Sequence, residues 1–403
     1  MLGSSIFDLS MPLYVFARTK SPMALSLTLV ALTLPYFLMA PFTGYWADHF
    51  DKRKVMLVTD IGQIICLFFL LAYDLWSPTG FWPILGAIFV VKTLMILFET
   101  VTTFQLIPGL VKPADLGQAN TWFLSTLRLV QIVGPLVGGA ILGTFGARGS
   151  ILINIVSFVA TLHFVTKTRN LGELVGDPHL RKRNPSFARG VSQNFTDSVR
   201  FIFQSKVFRV FIPLMFLWNL SPMIPGTASL TYYFTGIKGF TAAEYGSVVS
   251  LIGVFGMLGY LMSTFLFDRL EFGNAFYGAA VWQAVLGTVA LLFFPHPVLL
   301  AIVFAVSRSG SAILNMGTFL IRQTHVPKER MGGVNACLRM FFMSAAPLSA
   351  LLQGFLIEKV GVLFCLVIGV ACLWGVVHYS KQLTIALGKR GRDLNETATA
   401  AAA

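Results

Sequence analysis

The sequence predicts an all-α integral membrane protein whose twelve transmembrane helices form two six-helix pseudo-repeats. Three observations support this fold class. The chain is 56% hydrophobic and only 12% charged, whereas soluble domains carry about 25% charged residues. Apolar stretches of about 20 residues, long enough to cross the hydrocarbon core of a bilayer, recur along the whole chain. Similar short motifs stand at corresponding places in the two halves.

Turn residues separate the apolar stretches from one another. Clusters of Gly and Pro fall at 77–80 ("SPTG"), 145–149 ("FGARG") and 294–297 ("FPHP"). The polar, basic stretch 167–206 divides the apolar stretches six and six. The predicted spans cover approximately residues 2–17, 22–46, 55–75, 82–108, 116–144, 148–166, 207–235, 243–267, 274–294, 297–321, 331–357 and 361–380.

This division predicts four parts of the chain. They are an amino-terminal six-helix bundle (1–166), a basic cytoplasmic linker (167–206), a carboxy-terminal six-helix bundle (207–382) and a cytoplasmic tail (383–403). At the end of the linker, "FTDSVRFIFQS" has the pattern of an amphipathic helix that lies on the membrane surface and contacts lipid.

The net charge of +13 follows the predicted topology. If the amino terminus is cytoplasmic, most Lys and Arg fall in cytoplasmic loops, the linker and the tail, as the positive-inside rule requires. The positive charge therefore needs no nucleic-acid partner to explain it. We expect both termini in the cytoplasm.

No motif indicates an enzyme or a cofactor. The Walker loop, the dinucleotide fingerprint and the nucleophile elbow are missing from the sequence. The four cysteines lie in apolar runs without the spacing of metal ligands. We expect no enzymatic activity, no cofactor and no bound metal.

The two halves share a weak repeat. "VKPADLGQAN" (111–120) begins the fifth span and "VPKERMGGVN" (326–335) begins the eleventh, with a glycine and an asparagine at the same offset. On that offset, Lys92 falls one position from Arg308, so each half carries a cation midway along its fourth span. Paired six-span halves are a transporter architecture with the substrate site at mid-membrane between them.

The charged stretch "GYWADHFDKRK" (44–54) joins the second and third spans. Its glycine lets two helices approach closely, and its first carboxylate can bind free N–H groups at a helix end. The stretch resembles the signature loop of the major facilitator superfamily, G-x-x-x-D-[RK]-x-[GD]-[RK]-[RK], with His49 in place of a basic residue. The matching residues are Gly44, Asp48, Asp51, Lys52 and Arg53.

The resemblance covers the whole chain. The residues from "LYVFARTK" to "GYWAD" are similar to the branch that contains macrolide efflux proteins and the enterobactin exporter, and "GPLVGG" (134–139) resembles the end of an export-associated motif whose earlier glycines are missing here. A fainter resemblance to ferroportins lies in "SRSGSAILNMGTFLIRQTHVP" and "NIVSF". The resemblance implies a monomeric secondary transporter of a bacterial inner membrane. It also implies that the signature loop latches the two halves on the cytoplasmic side.

Ionisable residues inside the spans are functional candidates because they are costly in lipid. We predict that Asp8 and Glu99 couple transport to protons, since a buried carboxyl gains or loses its proton as its neighbours change. A static ion pair of Asp8 with Lys92 or with Arg128 is the alternative. For Asp60, near the signature loop, we expect a structural role as partner of the loop's cations.

The deep cations outnumber the deep carboxylates. Lys92, Arg128, Arg308 and Arg339 would make a central cavity electropositive and suited to an anionic substrate. Bracing of helix ends is the alternative for Arg128 and Arg339. In the seventh span, Pro222 and Pro225 are predicted hinge residues. The predicted lining residues of that span are Trp218, Asn219 and Tyr232.

These features predict a proton-coupled exporter of an amphipathic or anionic small molecule, such as a drug, siderophore or metabolite, that works by alternating access. The alternatives on the same fold are a ferroportin-like exporter of divalent metal and a lysophospholipid carrier. A membrane receptor that transports nothing is a further alternative, which the deep charges and the signature loop argue against.

Overall fold

The structure, a computed structural model, describes residues 2–49, 52–76, 80–101, 116–167, 187–221, 227–326 and 331–387. These ranges are helical almost throughout and contain no β-strand. The chain divides into two compact units: unit 1 is Met1–Ser192 with Thr241–Gly246, and unit 2 is Gln193–Phe240 with Ser247–Ala403. The predicted bundle boundaries remain a prediction, because much of the linker between them lies outside the described ranges.

Unit 1 contains five long helices. They are α1 (Leu2–Thr19), α2 (Pro22–His49), α3 (Lys52–Trp76), α4 (Trp82–Val101) and α5 (Leu116–Lys167). Helix α1 packs along α5, and α4 packs against α2 and α3, while α3 also packs against α5.

Two glycines of the "GPLVGG" motif allow the close approach of α1 to α5. A Cβ atom added at Gly134 would lie 2.2 Å from the side-chain oxygen of Ser5, and one added at Gly138 would lie 3.2 Å from the Cα of Ile6. Small residues at helix contacts allow such backbone approach inside membranes. The motif therefore has a packing role within unit 1.

Helix α5 contains two of the predicted spans, joined by a sharp kink at Gly146. This glycine has φ 65° and ψ −170°, a backbone conformation outside the helical region. Only glycine adopts that conformation without strain. The predicted break at "FGARG" is thereby confirmed.

The remaining helices lie mainly in unit 2, although α6 and α9 each begin within residues assigned to unit 1. They are α6 (Phe187–Gln204), α7 (Lys206–Leu220), α8 (Ala228–Thr231), the π-helix Tyr232–Ile237, α9 (Ala242–Arg269), α10 (Phe272–Leu292), α11 (Pro297–His325), α12 (Met331–Lys359) and α13 (Val362–Leu387). Helix α10 packs against α11 and α13, and α7 packs against α12 and α13.

The predicted seventh span, 207–235, is not a continuous helix. Helix α7 ends at Leu220, because Ser221 after it is extended. Helix α8 begins at Ala228, after the extended Thr227, and the π-helix follows α8. Upstream, the amphipathic helix α6 meets α7 at a bend of 101° between Gln204 and Lys206. Its position on a membrane surface stays a prediction.

Nine helices in the described part of the chain are long and apolar enough to cross a bilayer, or ten if the bent pair Phe195–Gln204 and Lys206–Leu220 is one span. One of the nine is the kinked α5, which holds two predicted spans. The all-helical membrane class is therefore confirmed, and the number twelve remains a prediction.

The kink predicts a position-specific cost for Gly146→Ala. A Cβ at Gly146 meets nothing within 4 Å, so any destabilisation comes from backbone strain alone, about 1–3 kcal/mol. The matched control is Gly143→Ala, which also meets nothing within 4 Å but has no left-handed φ. We expect Gly146→Ala to lower the apparent melting temperature in detergent. Gly143→Ala should not lower it. Equal melting temperatures for the two variants would contradict this account.

Candidate functional site

An ion pair between Asp8 and Lys92 links α1 to α4 deep inside unit 1. The Nζ of Lys92 lies 2.5 Å from Oδ1 and 2.7 Å from Oδ2 of Asp8. The Lys92 side chain is 3% exposed, whereas that of Asp8 is 43% exposed. The ammonium is thus enclosed by protein, whereas the Asp8 side chain is partly exposed, with its Oδ1 buried.

Two further residues contribute to the electrostatic surroundings of this pair. Glu99, two turns beyond Lys92 on α4, and Tyr36 on α2 both interact electrostatically with Lys92. The sulfur of Met95 lies 3.5 Å from the Lys92 Nζ. The predicted proximity of Lys92 and Glu99 on one helix face is consistent with this arrangement.

Arg128 is not the ion-pair partner of Asp8. It lies half-buried on α5, and its Nη1 donates a hydrogen bond of 2.9 Å to Oε1 of Gln131 on the same helix. Of the two partners that the sequence left open for Asp8, the structure therefore selects Lys92.

The signature stretch lies at the junction of α2 and α3. Gly44 and Asp48 belong to the end of α2, but their side chains lie outside the described part of the structure, as does that of Lys52, the first residue of α3. Asp51 lies wholly outside the described residues. The latch between the two halves that the superfamily resemblance implies therefore remains a prediction.

Arg53 has a defined contact within unit 1. Its Nη2 donates to the backbone carbonyl of Thr166 at 2.7 Å. Thr166 belongs to the last turn of α5, where carbonyl groups have no partner within the helix. Arg53 therefore caps the end of α5 and ties it to the start of α3.

Asp60 does not pair with the loop's cations, and that prediction is wrong. The side chain is fully buried, and neither of its carboxylate oxygens has a hydrogen-bond partner. Arg53, two turns earlier on α3, donates instead to the end of α5. The physical reason is that the α5 carbonyls compete successfully for the guanidinium.

Sequence analysis missed Asp74, which holds together one end of unit 1. Its buried carboxylate accepts hydrogen bonds from Arg18 of α1 and Arg148 of α5, each at 2.8 Å, and from the Tyr14 hydroxyl. The Arg18 guanidinium also lies over the Tyr14 ring, 4.7 Å from its centroid. The predicted topology could have identified this cluster, because it places Arg18, Arg148 and the end of the third span on one side of the membrane.

In unit 2, Arg308 lies midway along α11 and is half-buried. Its Nη1 donates to the Ser311 hydroxyl at 3.1 Å, and Tyr260 of α9 interacts with it electrostatically. In the described part of unit 2, no carboxylate forms an ion pair with Arg308.

The predicted residues of the seventh span have separate environments. Trp218 is buried on α7, and its indole N–H has no hydrogen-bond partner in the described structure. Asn219 donates to the carbonyl of Met215 in its own helix at 2.8 Å, and Tyr232 begins the π-helix half-buried. The predicted hinge residues Pro222 and Pro225 lie outside the described residues.

A buried polar network, also missed from the sequence, fixes both ends of the break in this span. The Ser349 hydroxyl donates to the carbonyl of Leu220 at 2.7 Å, where α7 ends. Gln353 donates to Ser349 at 2.9 Å and accepts from the N–H and hydroxyl of Ser229 at 2.9 and 2.7 Å. A Ser and a Gln one turn apart in an apolar span are the signal that could have revealed it.

Comparison with known proteins decides the family. The model of the Major Facilitator Superfamily matches residues 1–282. The chain belongs to the major facilitator superfamily. This member of the superfamily is a multi-pass membrane transporter of small molecules and not an enzyme, as the sequence predicted.

Relatives of this superfamily member carry efflux names. It is 23% identical over 377 residues to the multidrug efflux pump Tap of Mycobacterium tuberculosis, covering 89% of this chain and 84% of that protein. It is 22% identical over 200 residues to macrolide efflux protein A of Streptococcus pyogenes, covering 48% and 47%. The predicted resemblance to macrolide efflux proteins is confirmed.

Among solved structures, a bacterial homologue of the iron transporter ferroportin in an inward-facing state has a TM-score of 0.75. The sequence identity is 18%, and the match covers 95% of each chain. At this identity the likeness establishes the superfamily fold and nothing about the substrate.

The Asp74 cluster predicts unequal effects of two substitutions. Asp74→Asn removes the buried acceptor shared by two guanidiniums, and we expect it to cost about 1–3 kcal/mol of stability. Arg148→Gln removes a side chain that is 54% exposed, and we expect a cost below about 1 kcal/mol. Thermal unfolding of both variants in one detergent provides the measurement. A larger effect of Arg148→Gln than of Asp74→Asn would contradict the assignment of Asp74 as the centre of the cluster.

Proposed function

We propose that the protein is a proton-coupled exporter of amphipathic or anionic small molecules that works by alternating access. The observation that carries the proposal is the ion pair of Asp8 and Lys92, in which a buried ammonium faces a partly exposed aspartate side chain. The efflux names of the relatives support the export direction. On this proposal the chain is a monomer of a bacterial inner membrane with both termini in the cytoplasm.

Asp8 is the proposed site of proton exchange. While it is ionised, its charge compensates that of Lys92, and the buried pair is stable. Binding of a proton to Asp8 removes that compensation and leaves an enclosed ammonium without its counter-charge. Since this state is costly, protonation favours a rearrangement around α1 and α4. Glu99 on α4 is the proposed second carboxyl of this system.

The proposed substrate contacts are a set of charged and polar side chains. Arg308 offers a guanidinium and Trp218 a buried N–H without a protein acceptor. Lys92, Arg128, Asn219 and Tyr232 complete the proposed set. Pro222 and Pro225 remain the proposed hinge of the seventh span.

The proton coupling predicts a selective loss in Asp8→Asn. We expect this variant, in proteoliposomes with an imposed pH gradient, to lose uphill transport of a macrolide such as erythromycin. Counterflow exchange of the same compound without a gradient should remain, because an amide preserves the size of the side chain. Asp8→Glu, which keeps a titratable carboxyl, serves as the control and should retain gradient-driven transport.

Three results would contradict the proposal. The first is unchanged gradient-driven transport in Asp8→Asn. The second is transport of divalent metal ions with no transport of organic probes, which would favour a ferroportin-like exporter. The third is transport of a labelled lysophospholipid alone, which would favour a lipid carrier.

The charge of Arg308 predicts discrimination between probes of opposite charge. We expect Arg308→Gln to weaken binding of the anionic dye carboxyfluorescein about tenfold, the loss of one charge-assisted hydrogen bond. Binding of the cationic dye ethidium should not weaken. Arg308→Lys keeps the charge and should recover part of the affinity. Equal effects of Arg308→Gln on both dyes would contradict an anion-binding role.

A further inference from the structure

The buried face of α3 contains one carboxyl group without a visible partner. Asp60 is 0% exposed, and both its oxygens lack a hydrogen-bond partner. One turn before it, Met56 packs with Val165 of α5. Two turns after it, Leu67 belongs to the apolar core of unit 1. Asp60 therefore lies in the interior of the unit, between apolar layers.

No described cation compensates a negative charge at Asp60. The described ion pairs of the chain are those of Asp8 and Asp74 with Lys92, Arg18 and Arg148. The helices packed around Asp60 are α4 and α5, and none of their charged or titratable side chains bonds to it. Those side chains, with the nearby ones of α3 itself, are Arg53, Lys54, Lys92, Glu99, Arg128, Arg148, His163 and Lys167.

An ionised carboxylate in such a place keeps neither hydration nor a hydrogen bond. Burial of an unpaired charge is among the most costly arrangements in a protein, and the group becomes neutral instead.

A complementary acceptor lies one helical turn away. Gln63 is also fully buried, and its Oε1 has no hydrogen-bond donor. The orientation of its amide is fixed, because its Nε2 donates to the carbonyl of Thr59 at 3.2 Å. Residues three apart on a helix are neighbours. Asp60 and Gln63 therefore place three oxygens without donors on adjacent turns, and a proton on one Asp60 oxygen supplies a donor for Oε1 of Gln63.

We infer that Asp60 and Gln63 form a proton-binding site in unit 1, in which the protonated Asp60 donates its O–H to Oε1 of Gln63. The proton adds to one carboxylate oxygen, and no other bond forms or breaks. The site is distinct from the ion pair of Asp8 with Lys92. The inference does not depend on the proposed function, because a bound proton is detected without any transport.

Infrared spectroscopy of the full-length protein in lipid nanodiscs tests the site. We expect a carbonyl-stretch band of a protonated carboxyl at neutral pH that is missing in Asp60→Asn. In Gln63→Met, the band should move to higher wavenumber, because the acid loses its acceptor. Thermal unfolding of both variants checks that they are folded.

A persistent band in Asp60→Asn, or an unshifted band in Gln63→Met, would overturn the inference. So would a band that disappears when sodium or calcium chloride is added at constant pH, since a metal cation would then occupy the site.

Carbodiimide labelling gives a second measurement. Dicyclohexylcarbodiimide attacks protonated carboxyls, and peptide mass spectrometry should find Asp60 labelled several-fold more than Asp74, a buried carboxylate of the same helix. The excess should fall as the pH rises, and equal labelling at all pH values would count against the site.

Discussion

The burial of Lys92 is the constraint on which the rest of unit 1 depends. Hydrocarbon offers no partner to a charge, so an ammonium that is 3% exposed requires a carboxylate within reach. Asp8 supplies it from α1, and this fixes α1 against α4. The close approach of α1 to α5 at Gly134 and Gly138 then holds Asp8 at that depth. The position of α1 is therefore determined both by its packing against α5 and by the ion pair of Asp8 with Lys92.

Three carboxyls of unit 1 illustrate how surroundings assign roles to one side-chain type. Asp74 accepts from two guanidiniums and a hydroxyl, so its charge is satisfied and its role is structural. Asp8 forms an ion pair with one cation and its side chain is partly exposed, so it is the proposed site of proton exchange. Asp60 has no described partner, so a charge there is excluded unless a ligand arrives. The number of hydrogen-bond donors around each carboxyl group distinguishes a carboxylate with a structural role from a candidate proton-binding site.

The sequence could predict features that depend on local pattern. Span length, the break at Gly146 and the central cations follow from apolar runs and turn residues, and the structure has them in those places. Contacts between distant helices could not be predicted in this way. The prediction for Asp60 was wrong because the loop's guanidinium had a competing acceptor at Thr166, a residue over 100 positions away.

The polar network of unit 2 was missed for a related reason. Gln353 and Ser349 stand out as polar residues in an apolar span, but their partners become apparent only where the break after Leu220 supplies backbone groups that need hydrogen bonds. A broken membrane helix requires such partners, because its freed N–H and C=O groups find none in lipid. The prolines of the seventh span signalled the break, but nothing in their pattern identified which helix would satisfy it.

The geometry of the Asp8 pair also constrains how substrate charge relates to coupling. On the proposed coupling at Asp8, a cationic substrate group that binds this carboxylate excludes the proton from it. When substrate and proton cannot bind together, the transporter exchanges one for the other across the membrane. An anionic substrate group at Lys92 is instead favoured when Asp8 is protonated, because the ammonium then lacks its counter-charge. When substrate and proton bind together in this way, they are transported in the same direction. Export driven by inward proton flow requires exclusion. An anionic substrate of an exporter is therefore better received at Arg308, where no described carboxylate competes, than at Lys92.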